Sequence, residues 1–349
     1  MVFSGYLIKG PYWVFWHLLR WLGKLDDVVF YVDSEQDYVV IEHILPHLNK
    51  PFRIVARNEK VAKTLRKKGV DARAWPAFPR LLIMARHAFH RFPIAAIKKI
   101  GMNHGIYHFK KMIRAEKYNA FDLYLFISEA EAQQAKEYGV SCGVAGGCPR
   151  KDTFSDPHTI AASQKIKQQD SFDPQKKTLL FTATWDRSGL SAINRWIDHL
   201  PQLALQYNVF VSLHPMMSQT YFERVLAIPG IQFAQPHMLP AHMLAADLLI
   251  SDTSSVMAEF CGLDKPIITF RVDSGKRLTK EIKEMIQDIS IGIDSVDELG
   301  GAIEQYTQNP GLKSDLRARW NKVFYGEHKG SHGKKAAAII NNYIAKNQL

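Results

Sequence analysis

Hydroxyl and carboxylate side chains gather directly after an apolar run in the second half of the chain. Asp252 is followed by Thr253, Ser254 and Ser255, and a helical pattern begins at Val256. Free backbone N–H groups at a helix start, together with several hydroxyls, suit an anion such as a phosphate. Ordinary N-capping by serine or threonine explains the same pattern without a ligand. The sequence alone leaves both interpretations open.

Three further residues are candidates for the same site. Glu259 lies one turn into the predicted helix, where it either reaches a ribose hydroxyl or stays in water. Thr184 and Arg187 follow another predicted strand, and a guanidinium group can bind a phosphate through two parallel hydrogen bonds. Because the carboxyl ends of parallel strands meet at one edge of a sheet, we expect these side chains to line one cleft.

Two histidines end predicted strands. His214 is followed by Pro215, which fixes the backbone, and such a histidine can donate a hydrogen bond to a departing diphosphate. His104 precedes Gly105, and histidine is the usual general base near neutral pH. His108 has the i, i+4 spacing of a metal pair with His104, but no third ligand accompanies them. We therefore expect no metal.

The segment from Gly146 to Asp152 contains two glycines followed by Arg150 and Lys151. Such a turn either binds phosphate or forms a hinge, and taken alone it favours the hinge. The sequence has no GxGxxG, GxxxxGK[ST] or GxSxG motif and no zinc-ligand spacing. These absences remove motif support for dinucleotide dehydrogenases, P-loop kinases and α/β-hydrolases, and no cofactor is expected.

Short β-rich runs alternate with helical stretches, which is typical of α/β proteins with parallel sheets. A polar tract over 152–177 reads as a loop-like connection between two such series. We expect an α/β protein of two Rossmann-like domains facing a central cleft. Residues 1–155 form a basic acceptor- and membrane-facing domain and residues 156–349 a donor-binding domain, with a C-terminal helix that can pack back on the first. The runs that predict strands include Val28–Val32, Phe52–Ala56, Ala95–Asn103, Phe121–Ser128, Thr178–Ala183 and Ile231–Phe233. Those that predict helices include Tyr38–Leu48, Leu190–Leu205 and Val256–Cys261.

The net positive charge of the chain comes from its first third, where basic residues outnumber acidic ones. The net charge is +11 over 349 residues, and residues 1–115 hold 20 lysines and arginines against 8 acidic residues. A domain of this kind suits a polyanion: nucleic acid, anionic lipid or a phosphorylated acceptor. Nucleic acid is the least favoured, because no RRM, KH or zinc-finger pattern accompanies the charge. The three cysteines cannot form a disulfide framework, which favours a reduced, cytoplasmic setting.

The aromatic segment Tyr12–Lys24 offers a way to reach a membrane. Trp and Tyr favour the headgroup region, and Lys9, Arg20 and Lys24 would attract an anionic leaflet. The alternative is that these aromatic residues are part of the core of the first domain. No run is long and apolar enough for a transmembrane helix, and the N-terminus lacks the pattern of a signal peptide. We expect peripheral attachment to the inner face of the cell membrane.

Five short motifs occur in one order along residues 100–270, and together they resemble the CDP-glycerol glycerophosphotransferase family of teichoic-acid type polymerases and primases. The motifs are His104-Gly105, Gly147-Cys148-Pro149-Arg150-Lys151-Asp152, Ala183-Thr184-Trp185-Asp186, His214-Pro215 and Asp252–Met257 with Asp264–Ile268. The resemblance implies a GT-B-like fold and transfer of a polyol phosphate from a CDP-linked donor to a hydroxyl of a lipid-linked or polysaccharide acceptor.

The resemblance also implies roles for individual residues. His104 would deprotonate the acceptor hydroxyl, and His214 would stabilise or protonate the departing nucleotide phosphate. The donor would be held by Asp252, Thr253, Ser254 and Ser255, with Arg150, Thr184, Arg187, Pro215 and Glu259 as further candidates. A GT-B glycosyltransferase or an NDP-sugar epimerase with the same diphosphate site is the alternative.

Overall fold

The computed structural model describes residues 3–103, 105, 114–273 and 278–349. These residues divide into two compact units. The first contains the described residues up to 105, residues 114–152 and Tyr325–Leu349, and the second contains Thr153–Phe324. His104, which the sequence analysis proposes as a base, lies outside the described residues.

The first unit is built on a parallel sheet of seven strands in the order β3-β2-β1-β4-β5-β6-β7. Both faces of its central strands are buried, so these strands are almost continuously apolar. In chain order its elements are α1 (Phe3–Trp21), β1 (Asp26–Val32), α2 (Glu35–Ile41), β2 (Phe52–Ala56), α3 (Glu59–Lys67), β3 (Ala72–Ala74), β4 (Pro79–Met84), β5 (Lys98–Met102), α4 (Ala115–Tyr118), β6 (Leu123–Phe126), α5 (Glu129–Glu137) and β7 (Gly143–Ala145).

The second unit has a parallel sheet of six strands in the order β10-β9-β8-β11-β12-β13. Trp196 and Phe181 are fully buried on one face of this sheet, with ring centroids 5.2 Å apart. Its elements are α6 (Pro157–Lys167), β8 (Thr178–Ala183), α7 (Ile193–Trp196), α8 (Leu200–Gln206), β9 (Asn208–Leu213), α9 (Gln219–Leu226), β10 (Ile231–Phe233), α10 (Leu239–Ala245), β11 (Leu248–Ser251), α11 (Val256–Cys261), β12 (Ile267–Phe270), α12 (Lys280–Ile289), β13 (Ile291–Ile293), α13 (Leu299–Gln308) and α14 (Ser314–Tyr325).

The last helix, α15 (His332–Lys346), belongs to the first unit. Its buried residues Ala336, Ala337 and Ile340 lie in the same apolar cluster as Val28 and Phe30 of β1. Gly333, at the start of α15, lies against the backbone that follows α2. A β-carbon at this position would lie 2.0 Å from the carbonyl oxygen of His43. Only glycine lets this helix reach the sheet at that point.

The prediction of two α/β domains with parallel sheets is confirmed. Three details of the sequence analysis are wrong. The helix predicted over 190–205 is two short helices, α7 and α8, joined by a 3₁₀ turn at Ile197–His199. The tract 152–177 is not a loop, because residues 157–167 form α6, whose start is capped by Asp156 accepting from Thr159 N at 2.9 Å. The helix predicted over 38–48 is shorter and earlier, at Glu35–Ile41, followed by a 3₁₀ turn at Leu45–His47.

Candidate functional site

Three loops that carry predicted site residues leave neighbouring strands of the second sheet. Thr184 follows β8, His214 follows β9 and Asp252 follows β11, and β8 lies between β9 and β11. The chain runs outward from β8 to β9 and β10, then returns to β11 on the other side. The gap between β8 and β11 is therefore a topological switch point, where ligands of open α/β sheets bind.

Asp252 is fully buried, and its carboxylate holds three stretches of backbone together. It accepts hydrogen bonds from Thr184 N and Ala192 N, both at 3.0 Å, from Thr184 Oγ1 at 2.8 Å, and from Thr253 N. Burial raises the pKa of Asp252, and these hydrogen bonds oppose the rise. Since the carboxylate oxygens already accept hydrogen bonds from protein donors, Asp252 holds the surrounding loops in position.

The hydroxyls around Asp252 form an outer layer above it. Thr184 Oγ1 and Thr253 Oγ1 are 3.1 Å apart, and both residues are half-buried. Ser254 Oγ accepts weakly from Val256 N at 3.4 Å, and Ser255 is exposed and makes no capping hydrogen bond with its side chain. Helix α11 begins at Val256, where the sequence predicts it. Capping therefore accounts for little of this hydroxyl cluster.

His214 is half-buried, and its Nδ1 accepts a hydrogen bond from Met216 N at 3.1 Å. A ring nitrogen that accepts carries no proton, so the neutral ring has its proton on Nε2. His214 can thus donate a hydrogen bond through Nε2. Pro215 beside it is exposed.

Asp186 ties the loop after β8 to the loop after β9. Its carboxylate accepts from Ser218 Oγ at 2.5 Å and from Ser218 N at 3.0 Å, and the hydroxyl contact is the main cause of its lowered pKa. Ser218 was missed by sequence reasoning, because a serine at a helix start reads as an ordinary cap. Arg187, next to Asp186, is exposed.

Glu259 and Arg150 differ from the other candidates. Glu259 is only 8% exposed on α11, so the alternative that it stays in water is wrong. Arg150 is half-buried in a 3₁₀ turn of the first unit, whereas the other described candidates belong to the second.

The segment Gly146–Asp152 anchors α15. Asp152 accepts from Ser331 Oγ at 2.7 Å, His332 N at 3.0 Å and Gly333 N at 2.8 Å. Cys148 N donates to His332 Nδ1 at 3.1 Å. Burial and nearby Lys151 lower the pKa of His332 to about 4. This motif is thus an internal docking point in the first unit.

The Asp264-Lys265-Pro266 motif is likewise structural. Lys265 Nζ donates to the carbonyl oxygens of Leu244 and Ala246, both at 2.7 Å, at the end of α10. Burial lowers the pKa of Lys265 to about 8. Asp264 accepts from the fully buried Arg317 at 2.8 Å. Within the described ranges, no group of three His, Cys, Asp or Glu side chains could hold a metal ion.

The sequence model of the family described as CDP-Glycerol:Poly(glycerophosphate) glycerophosphotransferase matches residues 92–333. This match spans well over half of the chain. The chain belongs to this family. It is accordingly a transferase of the glycerophosphotransferase class, as the motifs predict.

Curated relatives agree with the family. The chain is 26% identical over 267 residues to a teichoic acid glycerol-phosphate primase of Bacillus spizizenii, covering 74% of this chain and 67% of that protein. It is 25% identical over 138 residues to a teichoic acid poly(glycerol phosphate) polymerase of the same organism, covering 37% of this chain and 35% of the polymerase.

Solved structures with the same fold include enzymes of two kinds. The wall teichoic acid polymerase TagF matches with a TM-score of 0.62 at 14% identity, covering 92% of this chain and 89% of that one. UDP-GlcNAc 2-epimerase from Neisseria meningitidis matches with a TM-score of 0.60 at 12% identity, covering 92% and 100%. These likenesses support a GT-B-like fold for the chain.

Proposed function

We propose that this protein transfers glycerol phosphate from CDP-glycerol to a hydroxyl group of a growing surface polymer. The family match names this chemistry, and the observation that carries the proposal is the loop cluster at the switch point of the second sheet. There a buried carboxylate fixes hydroxyls and backbone N–H groups, and the loop after the neighbouring strand β9 carries a histidine whose neutral ring has its proton on Nε2. Hydrogen-bond donors fixed in place before the reaction suit a diphosphate.

The reaction assigns a role to each part of the site. The acceptor oxygen attacks the phosphorus that bears glycerol, a new P–O bond forms, and the bond to the cytidylate oxygen breaks, releasing CMP. Thr184, Thr253, Ser254 and Ser255 bind the diphosphate, with Arg187 as an additional cation. His214 donates through Nε2 to the phosphate that leaves. His104 takes the proton of the acceptor hydroxyl.

The acceptor is carried at a membrane surface in this proposal, and helix α1 supports that placement. Its inner face is tied to the first unit, since Tyr12 donates to Ala77 O at 2.6 Å and Trp16 donates to Pro79 O at 2.9 Å. Its outer face leaves Trp13, Phe15 and Trp21 exposed by 52%, 55% and 82%. Of the aromatic segment, Tyr12 and Trp16 are therefore part of the core, as one interpretation held, whereas Trp13, Phe15 and Trp21 are exposed, as membrane contact requires.

Lys9, Arg20 and Lys24 are also exposed on or beside α1. An apolar and aromatic face with cations around it suits the headgroup region of an anionic leaflet. Among the described helices, none is long and apolar enough to cross a bilayer. We propose that α1 lies in the cytoplasmic surface of the membrane.

The experiment is a donor panel with the released nucleotide identified by mass. CDP-glycerol, CDP-ribitol, UDP-glucose and UDP-GlcNAc are each incubated with the protein and a glycerol-phosphate oligomer. We expect CMP from CDP-glycerol and a product longer by one glycerol phosphate. Replacing His214 by Ala should lower turnover by roughly 10²–10³-fold, since it removes one donor to the transition state.

His199→Ala is the matched control, because His199 is an exposed histidine of the same unit in the turn before α8. It should keep normal turnover. Release of UDP without CMP, or epimerisation of UDP-GlcNAc, would replace the proposed function by the alternative.

A further inference from the structure

The first unit has its own switch point, between β1 and β4. Asp33 follows β1, Arg57 follows β2, and a 3₁₀ turn at Phe89–Arg91 follows the loop after β4. Because the sheet is parallel, these residues all lie beyond the carboxyl ends of its strands. A ligand of this unit is expected at the same edge.

Two arginines meet there. Arg57 Nη1 lies 3.3 Å from Asp33 Oδ2, and Tyr31 OH donates to Asp33 Oδ1 at 3.0 Å. Arg91 Nη1 donates to the carbonyl oxygen of Arg57 at 3.3 Å, and its guanidinium lies 5.6 Å from the ring centre of Trp75. The aromatic ring and the carbonyl hold Arg91 in a defined position next to Arg57.

The two arginines differ in their charge partners, since Arg57 pairs with Asp33. Within the described residues, Arg91 makes no ion pair with a carboxylate, and its Nε is buried without a hydrogen-bond partner. Burial lowers the pKa of nearby His90, Arg91 and Arg57 contribute in the same direction, and Asp33 opposes them. A guanidinium that is partly withdrawn from water and left unpaired destabilises the fold, and a bound anion would remove that cost.

The surroundings indicate which anion this is. Tyr12 of α1 stacks on Trp75 with ring centroids 6.4 Å apart and meets Phe92 edge-on at 6.3 Å. Helix α1 thus packs beside the turn that carries Arg91, and α1 is the helix we place in the membrane surface. A molecule anchored in that surface would bring its phosphate groups to the carboxyl edge of this sheet.

We propose that Arg57 and Arg91 bind a phosphodiester group of the acceptor. The inference rests on the proposed function, in which the acceptor is a chain of glycerol phosphates. The arginines hold one anionic group of that chain while its terminal hydroxyl reacts. They touch the acceptor and take no part in bond making or breaking.

Calorimetry with a soluble glycerol-phosphate oligomer, in the absence of nucleotide, tests this directly. The full-length protein is compared with Arg91→Gln, Arg91→Lys, Arg57→Gln and the control Arg53→Gln. Arg53 is matched to Arg57, because it lies on β2, the strand that Arg57 follows, and is similarly exposed. It pairs with Asp26 at 2.8 Å, but at the opposite edge of the sheet, where the strands begin. CDP binding is measured in parallel.

We expect Arg91→Gln and Arg57→Gln to weaken oligomer binding by about tenfold or more, and Arg53→Gln to leave it unchanged. Arg91→Lys should fall between, since lysine keeps the charge and loses the paired hydrogen bonds. CDP affinity should be the same in all. Equal oligomer binding by Arg91→Gln, Arg57→Gln and the parent protein would overturn the proposal.

Two further arms separate the possible failures. Sedimentation with phosphatidylglycerol vesicles distinguishes a lipid headgroup from the acceptor. Arginine variants that lose vesicle binding but keep oligomer binding would overturn the subsite. The KM for the oligomer in the CDP-glycerol assay separates the subsite from the function. Normal CMP release with an unchanged KM in Arg91→Gln removes the subsite only, whereas Arg91-dependent oligomer binding without CMP release removes the function only.

Discussion

At the residue scale, the carboxylate of Asp252 connects loops that are far apart in sequence. It reaches Thr184 and Ala192, 68 and 60 residues away along the chain, as well as its neighbour Thr253. The hydroxyls that face outward depend on this arrangement. In the proposed function, the buried Asp252 positions the loops and the more exposed hydroxyls bind the donor, so we expect the two to respond differently to substitution.

We predict that Asp252→Asn lowers both stability and donor binding. The amide keeps the size of the side chain but turns an NH₂ group toward backbone N–H donors, which leaves at least one of them unpaired. A buried unpaired donor costs about 1–3 kcal/mol. Urea unfolding should show a lower midpoint, and calorimetry with CDP should show weaker binding.

Ser255→Ala is the companion variant, because Ser255 is exposed and caps no backbone group with its side chain. It should weaken CDP binding and leave the urea midpoint unchanged. An Asp252→Asn protein with a normal midpoint would show that the carboxylate does not hold these loops.

Residue types and strand ends were enough to predict the candidate residues around Asp252, since polar residues after apolar runs lie at the edge of a parallel sheet. The division of labour among them could not be predicted. A ligand-binding aspartate and a buried one have the same local sequence. Only the order of strands, which puts β8 beside β11, shows that Thr184 covers the carboxylate.

At the element scale, α15 depends on contacts with a segment about 180 residues earlier. Asp152 and Cys148 hold its first turn through Ser331 and His332. Asp152 stabilises the start of the helix through its charge and its hydrogen bonds. The local sequence of the turn Gly146–Asp152 does not indicate that it contacts α15. From sequence alone, a glycine-rich turn with cations therefore suggests a phosphate loop or a hinge.

We predict that docking of α15 weakens in acid. His332 Nδ1 must stay unprotonated to accept from Cys148 N, and its pKa in the folded protein is about 4, below the ordinary value of 6.5. The unfolded chain therefore binds more protons between these values. The stability is fully present above pH 6.5 and is lost as the pH falls towards 4.

Urea unfolding at pH 7 and pH 5 measures this effect, which should be roughly 1–2 kcal/mol for a single histidine of this kind. In His332→Asn the amide oxygen can accept from Cys148 N and does not titrate. The variant should lose this part of the pH dependence. If its pH dependence equalled that of the parent, the acid sensitivity would have another source.

The elements that the sequence predicted well are those with long apolar runs between turn residues, such as β8 and β2. Three strands of the first sheet were missed. Strand β4 begins with Pro79, which argues against a central strand, and β3 and β7 each span three residues. Pairing with neighbouring strands, which local sequence does not report, makes them part of the sheet.

At the scale of the whole molecule, charge and exposed apolar surface both lie in the first third of the chain. Residues 1–115 carry 20 basic against 8 acidic residues, whereas the rest carries 25 against 26. The outward face of α1 belongs to the same region. A negatively charged surface would meet both features at once.

We predict that the protein sediments with phosphatidylglycerol vesicles at low salt and not with phosphatidylcholine vesicles. Replacing Trp13, Phe15 and Trp21 by Ser should abolish sedimentation, because it removes the apolar contact and leaves the charge. The control replaces Leu205 and Leu226, which are 68% and 62% exposed in the second unit. Vesicle binding that survives in the α1 variant would assign attachment to charge alone.

The return of α15 to the first unit has a consequence for how the protein is made. Ala336, Ala337, Ile340 and Ile344 complete an apolar cluster that begins with Val28. These residues follow Phe324 in the chain, so they leave the ribosome after the whole of the second unit. The second unit, Thr153–Phe324, has by then been translated in full and can fold as a unit while the first still exposes part of its sheet. The C-terminal unit should therefore mature first, and a ribosome stalled near residue 330 should present a chain that chaperones still recognise.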